Sequence, residues 1–233
     1  MSVVKSKVSV IIPVYNEEKF IEMILLKVCD RPEISEIIVV DDGSSDETYE
    51  KAEGILRDHQ KILLKRLPSN RGKGVAIREG LKFVTGDIVI IQDADLEYDP
   101  NDYEGLLQPF NDNGIQVVYG SRMLKKQHKI SYLSYAIGGI FLTFLTNMLY
   151  FSKLTDEATG YKVFRTAVLR GIDLQSKRFE FCPEITAKLL RKKIHIVEVP
   201  ISYNPRKFEE GKKIRLRDGL MAVWILLKYR IFL

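Results

Sequence analysis

The chain has little cysteine, no internal repeat, no low-complexity stretch and no Walker phosphate loop. Each shortage closes off a class of protein. Cys29 and Cys182 stand far apart without metal-ligand spacing, so they read as reduced core residues of a cytoplasmic protein rather than a disulfide framework or a zinc site. The apolar run from Val8 to Val14 is short, broken by Pro13 and followed by Asn16-Glu17-Glu18, which does not fit a signal peptide. Gly72-Lys73-Gly74 opens like a dinucleotide fingerprint, but Ile77 stands where a third small residue must let helix and strand pack closely; a redox enzyme is disfavoured. Asp93, Asp95, Glu97, Asp99, Asn101 and Glu104 fall at ligand places of a calcium loop, yet Tyr98 holds the place that needs Gly, and a strand precedes it. A basic loop from Tyr203 to Arg215 lacks interleaved stacking aromatics, so no nucleic-acid partner is expected.

What is present is alternation. In 233 residues with a net charge of +5, enough for one large domain or one domain with an appendage, aliphatic runs alternate with helical patterns. Val8 to Ile12 reads as a strand ending at Pro13, Glu17 to Cys29 as an amphipathic helix, and Ile37 to Val40 as a second strand. Ser44 and Glu47 have capping-box spacing for the following helix. Lys61 to Leu67 is a third strand, and Val75, Ile77, Leu81 and Val84 mark one side of the next helix. Ile88 to Ile91 is a fourth strand, aliphatic on both faces and so buried between helices. The pattern predicts right-handed β-α-β units: an α/β fold with a mostly parallel central sheet. The positive charge points weakly to anionic partners.

Three strand ends then meet at one sheet edge: Pro13 to Glu17, Asp41-Asp42 and Asp93-Ala94-Asp95. If the fourth strand continues, Asp93 and Asp95 point the same way. Paired hard oxygens suit Mg²⁺ or Mn²⁺, whose other ligands come from substrate phosphates. Carboxylates at the second strand's end can accept hydrogen bonds from a base or ribose, which fits a nucleotide-sugar site. Asp41-Asp42-Gly43-Ser44 also fits a plain turn, and Lys73 and Arg78 fit either a phosphate contact or a solvated helix start.

VSVIIPVYNEE (8–18), IIVVDDGSSD (37–46), NRGKGVAIREG (70–80) and QDADLEYDP (92–100) resemble the successive motifs of family 2 glycosyltransferases. The likeness continues through Gly120-Ser121-Arg122, TDEATGYKVF (155–164) and Glu198 to Gly219, and within the family it is nearest the dolichyl-phosphate and polyprenyl-phosphate sugar transferases. The resemblance implies a GT-A fold over residues 1–217, with helices on both sheet faces and C-terminal amphipathic helices. It implies inverting, metal-dependent transfer of a hexose from a GDP-mannose or UDP-glucose type of donor to a polyprenyl phosphate. By the same resemblance Pro13, Tyr15, Glu17, Asp41, Asp42, Lys73, Asp93, Ala94, Asp95 and Arg122 bind the nucleotide sugar. Asp93 and Asp95 hold the metal, with Glu97 as a third candidate where Gln is common. Asp95, Asp156 and Arg206 are the catalytic candidates.

The uncharged run from Tyr132 to Phe151 is long enough to cross a bilayer, but a crossing would separate Thr155 to Gly219 from the acidic pair. Helices at the membrane interface or packed on the domain, over 130–152, are therefore expected. Asp156 is the candidate base or sugar-positioning group; Glu157 beside it is the alternative. Phe181 to Leu190 reads as a helix and Ile194 to Val199 as a strand. Arg206 leads the candidates for a phosphate clamp, with Arg122 opposite and Lys212 and Lys213 as weaker ones. An amphipathic helix over 218–233, carrying Trp224 and Tyr229, suits a membrane surface or the core. Together these give an enzyme at the cytoplasmic face, peripheral on the membrane or held by a membrane-protein partner or as a homo-oligomer. The alternatives are transfer to a sugar or protein hydroxyl, or a nucleotide-binding protein without catalysis.

Overall fold

The computed structural model describes residues 6–125, 133–206 and 216–232. Lys212 and Lys213 lie outside the described residues, as do Tyr132 and Leu233. A seven-stranded sheet carries the fold. The first half winds as β1 (Val8–Val14), α1 (Ile21–Cys29), β2 (Ile34–Asp41), α2 (Thr48–Leu56), β3 (Ile62–Arg66), α3 (Lys73–Leu81) and β4 (Ile88–Ile91). The second half adds α4 (Tyr103–Leu107), β5 (Val117–Ser121), α5 (Leu133–Tyr150), β6 (Lys162–Arg165), α6 (Thr166–Arg170), α7 (Phe181–Arg191), β7 (Ile196–Pro200) and α8 (Leu216–Ile231). Strand order is β3-β2-β1-β4-β6-β5-β7. Every neighbouring pair is parallel except those made by β6, which runs against both β4 and β5.

Alternation along the strands divides the core. Val10, Ile12 and Val14 of β1 face α1 through Ile21, Ile24, Leu25 and Val28, whereas Ile11 joins Ile38 and Val40 against Ala76 and Ile77 of α3 and Ile185 of α7. Both sheet faces are therefore covered by helices, which is why β1 and β4 are wholly buried and, apart from Ser9 and Pro13 of β1, consist of Val and Ile.

The sheet passes through Pro13 rather than ending there, with Pro13 opposite Val40. The Val14 carbonyl accepts from Asp42 N on the β2 side, while the Ile11 carbonyl accepts from Gln92 N on the β4 side. Pro13 thus faces the β4 side, beyond the last residue of β4, where no ladder bond is lost. α2 starts at Thr48, later than the capping-box spacing implies, and Glu47 makes no side-chain cap. Ser44 instead donates its N–H and hydroxyl to Asp41 and accepts from Asn16 N at 2.9 Å, and Thr48 accepts from Glu17 N at 2.8 Å. Capping residues here tie the end of β2 to the end of β1.

The region over 130–152 forms one continuous helix across its described part, α5, not several. Thr143 and Thr146 donate to the Gly139 and Leu142 carbonyls one turn back, which satisfies their hydroxyls within the helix. α5 packs on α8, with Leu145 meeting Ile225, Leu226 and Tyr229, and the Tyr150 hydroxyl donating to the Leu226 carbonyl at 2.7 Å. Among the described residues no helix is long and apolar enough to cross a membrane.

Gly72 has φ +98°, and a Cβ there would lie 2.4 Å from the Lys177 carbonyl oxygen. Gly72→Ala should therefore lower unfolding free energy by about 2–3 kcal/mol, the size typical of a strained backbone combined with overpacking. Gly54, within α2 with nothing near its Cβ position, is the control: Gly54→Ala should raise stability by up to about 1 kcal/mol. Urea midpoints measure both.

Candidate active site

The six parallel strands β1, β2, β3, β4, β5 and β7 end on one edge of the sheet. Reversed β6 brings its N-terminal approach, residues 155–161, to the same edge.

After β2, Asp41 is fully buried and saturated by Ser44 and by Arg66 Nε at 3.2 Å. Arg66, which the sequence reading passed over, stacks over Tyr49 at 4.7 Å. Asp42 accepts from Arg71 N at 2.8 Å and Gly72 N at 2.7 Å, so its carboxylate pins the glycine loop. Burial pushes its carboxyl above the usual range. Gly72 and Gly74 are required by packing, since a Cβ on Gly74 would meet the Ser176 carbonyl oxygen at 2.5 Å.

β4 stops at Ile91, so Asp93 and Asp95 lie beyond the strand in a turn and their placement is not set by strand alternation. Leu96 there takes φ 60°, and Asp95 Oδ1 accepts from Glu97 N at 3.1 Å. Buried Ala94 packs beneath in the core. Asp93 pairs with Lys73 Nζ, whose own proton is held more tightly: burial opposes its charge, but Asp93 together with its weaker neighbours, Asp95 among them, outweighs that cost.

Arg206 joins the other acids. Its guanidinium sits 2.9 Å from Glu17 Oε2 and 2.9 Å from Asp95 Oδ2, with Nε 4.0 Å from Glu97 Oε1. Burial, then the Asp93 charge, pushes the Asp95 carboxyl up to about 7 against the pull of Arg206. Glu97 accepts from the Tyr203 hydroxyl at 3.1 Å and from Arg206 N at 2.9 Å. Among the described residues no three carboxylate, imidazole or thiol groups converge as a metal cage. Glu97, the third metal candidate, gives its oxygens to the Tyr203–Arg206 segment in this arrangement. Pro13, one residue from the end of β1, and Tyr15, just beyond it, lie at the same edge as Glu17.

A polar and aromatic layer behind Asp93 was not legible as functional. Gln92, fully buried, accepts from the hydroxyls of Tyr103 and Tyr161, both at 2.7 Å, and donates to the Asp93 carbonyl at 2.9 Å. Tyr98 accepts from Gly160 N at 2.8 Å, and a Cβ on Gly160 would lie 2.5 Å from Asp93 Oδ2. The signal available was Gln92 itself, a polar residue closing an aliphatic run.

Opposite the acidic turn, Arg122 grips Asp156 through Nε at 2.6 Å, a terminal nitrogen at 2.7 Å and its backbone N–H at 3.0 Å. Arg122 also lies over the Tyr203 ring at 5.0 Å. Glu198 of β7, unassigned from sequence, accepts from Thr155 N at 2.7 Å and Asp156 N at 2.9 Å and so fixes this loop. Glu157 turns inward, fully buried, and burial raises its carboxyl pKa. Of the two neighbouring acids, Asp156 is the one that meets Arg122.

A carboxylate bonded by both arms of an arginine has its oxygens occupied and fixes that arginine firmly. The edge therefore presents a carboxylate cluster on one side and a rigid cation on the other, which suits a metal-bound diphosphate facing a second anion.

The family model described as glycosyl transferase family 2 matches residues 9–172. A UDP-N-acetylglucosamine–dolichyl-phosphate N-acetylglucosaminyltransferase of Methanococcus voltae is 31% identical over 238 residues, covering 94% of this chain and 94% of that protein. A dolichol-phosphate mannosyltransferase of Pyrococcus furiosus is 30% identical over 217 residues, covering 88% of this chain but 59% of that protein. Among solved structures, glucosyl-3-phosphoglycerate synthase from Mycobacterium tuberculosis, with Mn²⁺, UDP and glucosyl-3-phosphoglycerate bound, superposes with a TM-score of 0.74 over 97% of this chain and 80% of that one at 19% identity, a likeness of fold. With its GT-A architecture and this match over most of its length, the chain belongs to glycosyl transferase family 2 and is a glycosyltransferase.

Proposed function

We propose that this glycosyltransferase moves a sugar from a nucleotide-diphosphate donor, of the GDP-mannose or UDP-glucose type, to a polyprenyl phosphate with inversion at the anomeric carbon. The observation that carries the reading is the Arg122–Asp156 pair. A hydroxyl acceptor needs a base to take its proton, whereas a lipid phosphate is already anionic and needs a cation to hold it. Arg122 supplies the cation, and Asp156 is committed to orienting it. The relatives described above differ in sugar but share the dolichyl-phosphate acceptor, which supports the same assignment.

The acceptor phosphate oxygen forms the new bond to the anomeric carbon as the bond to the donor diphosphate breaks. The electron pair leaves with the nucleoside diphosphate. Asp93 and Asp95 fit a divalent cation: they are paired hard donors, and the crowding that lifts Asp95 to about 7 is relieved by positive charge. When bound there, Mg²⁺ or Mn²⁺ supplies Lewis-acid neutralisation of the departing diphosphate. Glu17 and Tyr15 are assigned to the nucleotide end, with buried Asp41 holding the Ser44 turn behind them, and Arg206 is placed to follow the diphosphate's charge. A panel of nucleotide sugars with Mn²⁺ or Mg²⁺, read as nucleoside diphosphate released only when polyprenyl phosphate is added, tests the reading. Release that responds to sugar hydroxyls and ignores lipid phosphate would refute it.

Membrane contact follows from the outer faces of α5 and α8. Ile137, Ile140, Phe141, Phe144 and Met148 form an exposed stripe on one helix, and Leu220, Met221 and Trp224 form another on the second. Lys228 and Arg230 flank them, a pattern suited to lying at a bilayer surface on the side where the acceptor resides. Replacing both Phe144 and Trp224 by aspartate should cut binding to anionic vesicles by at least about tenfold, given about 1.5–3 kcal/mol for each large apolar side chain inserted. Vesicle sedimentation measures it, with unchanged thermal melting as the control.

A further inference from the structure

We propose that Arg206 holds the divalent cation's electrostatic place before substrate arrives, so that metal enters the carboxylate cluster only together with a nucleoside diphosphate that draws the guanidinium away. The inference rests on the donor-site reading above. Its basis is the single guanidinium that bridges Glu17 and Asp95, at 2.9 Å each, and approaches Glu97. Asp93 has a separate internal cation in Lys73. Both members of the candidate metal pair are therefore neutralised by the chain's own cations.

Space gives a second, independent indication. The cavity lined by Asp95, Asn204, Pro205 and Arg206 measures about 130 Å³. Small-molecule sites usually measure about 300–1,000 Å³, so this recess beside Asp95 is too small to take a diphosphate while Arg206 stands in it; the adjoining cavity lined by Leu96, Glu97, Tyr203 and Asn204 measures about 560 Å³. Metal alone would set two positive charges beside each other at Asp95, with no added anion to offset them. A diphosphate changes that balance, because it offers Arg206 a bidentate anionic partner and offers the metal oxygen ligands beyond Asp93 and Asp95. Metal and nucleotide then bind with strong positive coupling, and the coupling factor is equal in the two directions.

The test is Mn²⁺ binding followed by the electron paramagnetic resonance of free Mn²⁺, with and without UDP or GDP, for the unaltered chain and for Arg206→Gln. Hydrogen bonds to charged groups are each worth about tenfold or more in an equilibrium. Arg206→Gln should thus bind Mn²⁺ without nucleotide at least about tenfold more tightly than the unaltered chain, and its metal–nucleotide coupling should fall by a similar factor. Arg206→Lys, which keeps a charge at the position, should fall between the two and guards against a fold defect in the glutamine variant. Equal nucleotide-free affinities in all three proteins, with coupling intact, would overturn the exchange while leaving the donor site standing. Failure of the unaltered chain to bind Mn²⁺ with either nucleotide would overturn the donor-site reading, and the exchange with it.

Discussion

Asp95→Asn is expected to lower sugar transfer by about a hundredfold to a thousandfold while leaving the protein as stable as before, or more so. Loss of activity follows from removing one of two anionic donors for the divalent cation, and a single misplaced group that stabilises developing charge costs about 10²–10³ in rate. The stability gain follows from the opposite side of the same design. The Asp95 carboxyl is lifted from 3.8 to about 7 by burial and by the Asp93 charge, so folding disfavours its ionised form. With the folded value above the unfolded one, this group weakens the fold as pH rises from about 4 to about 7, and the penalty persists above. Asparagine keeps the shape and cannot ionise. Metal-free melts at pH 5 and pH 8 should show a smaller loss on the alkaline side for the variant than for the unaltered chain. Transfer rates at saturating Mn²⁺ measure the first half of the prediction; undiminished transfer would remove Asp95 from the metal site.

Arg122→Ala carries the second large effect. Among the described residues its guanidinium bonds both oxygens of Asp156, a side chain only 3% exposed, so truncation leaves that buried carboxylate with the backbone N–H of residue 122 alone. Breaking such a pair by removing one partner costs about 3–5 kcal/mol when fully buried, and the 17% exposure of Arg122 argues for the lower end. Activity should fall by about 10²–10³ in kcat/KM for the acceptor, with donor KM changed only a few-fold, because the cation facing the acceptor is lost. Arg122→Lys should restore part of the fold but little of the activity, since an ammonium cannot span both Asp156 oxygens. Asp156→Asn separates orientation from proton transfer. As a positioning group it should cost about tenfold, the size of one weakened charged hydrogen bond; a general base would lose at least about a thousandfold with flattened pH dependence.

These residues also mark how far the chain could be read without its structure. The first half was legible because β1, β2 and β4 are aliphatic on both faces and their helices have clean apolar stripes, so period and length agree. The antiparallel β6 was not. It is short, opens on a buried Lys162, and its neighbours β4 and β5 are distant in sequence, so nothing local states its direction. Lys162 is tolerated there because Nζ donates to the Glu157 carbonyl at 2.8 Å and lies 3.8 Å from the Tyr119 ring centre. At the site, residue types were readable while partnerships were not. Arg206 and Arg122 were both expected near phosphate, yet that one bridges Glu17 to Asp95 and the other locks Asp156 depends on loops meeting across the sheet edge. Ser44 and Asp42 carried recognisable turn signals, and tertiary contacts redirected both.

The most direct test of the central claim is transfer of radiolabel from UDP-sugars and GDP-mannose, assayed separately, into an organic-extractable product with added dolichyl or undecaprenyl phosphate. The expected result is label in the organic phase with at least one donor, dependent on both lipid phosphate and Mn²⁺ or Mg²⁺, and abolished in Asp95→Asn. Donor bound or slowly hydrolysed, with no label in lipid under any of these conditions, would contradict the account and return the acceptor to the hydroxyl class.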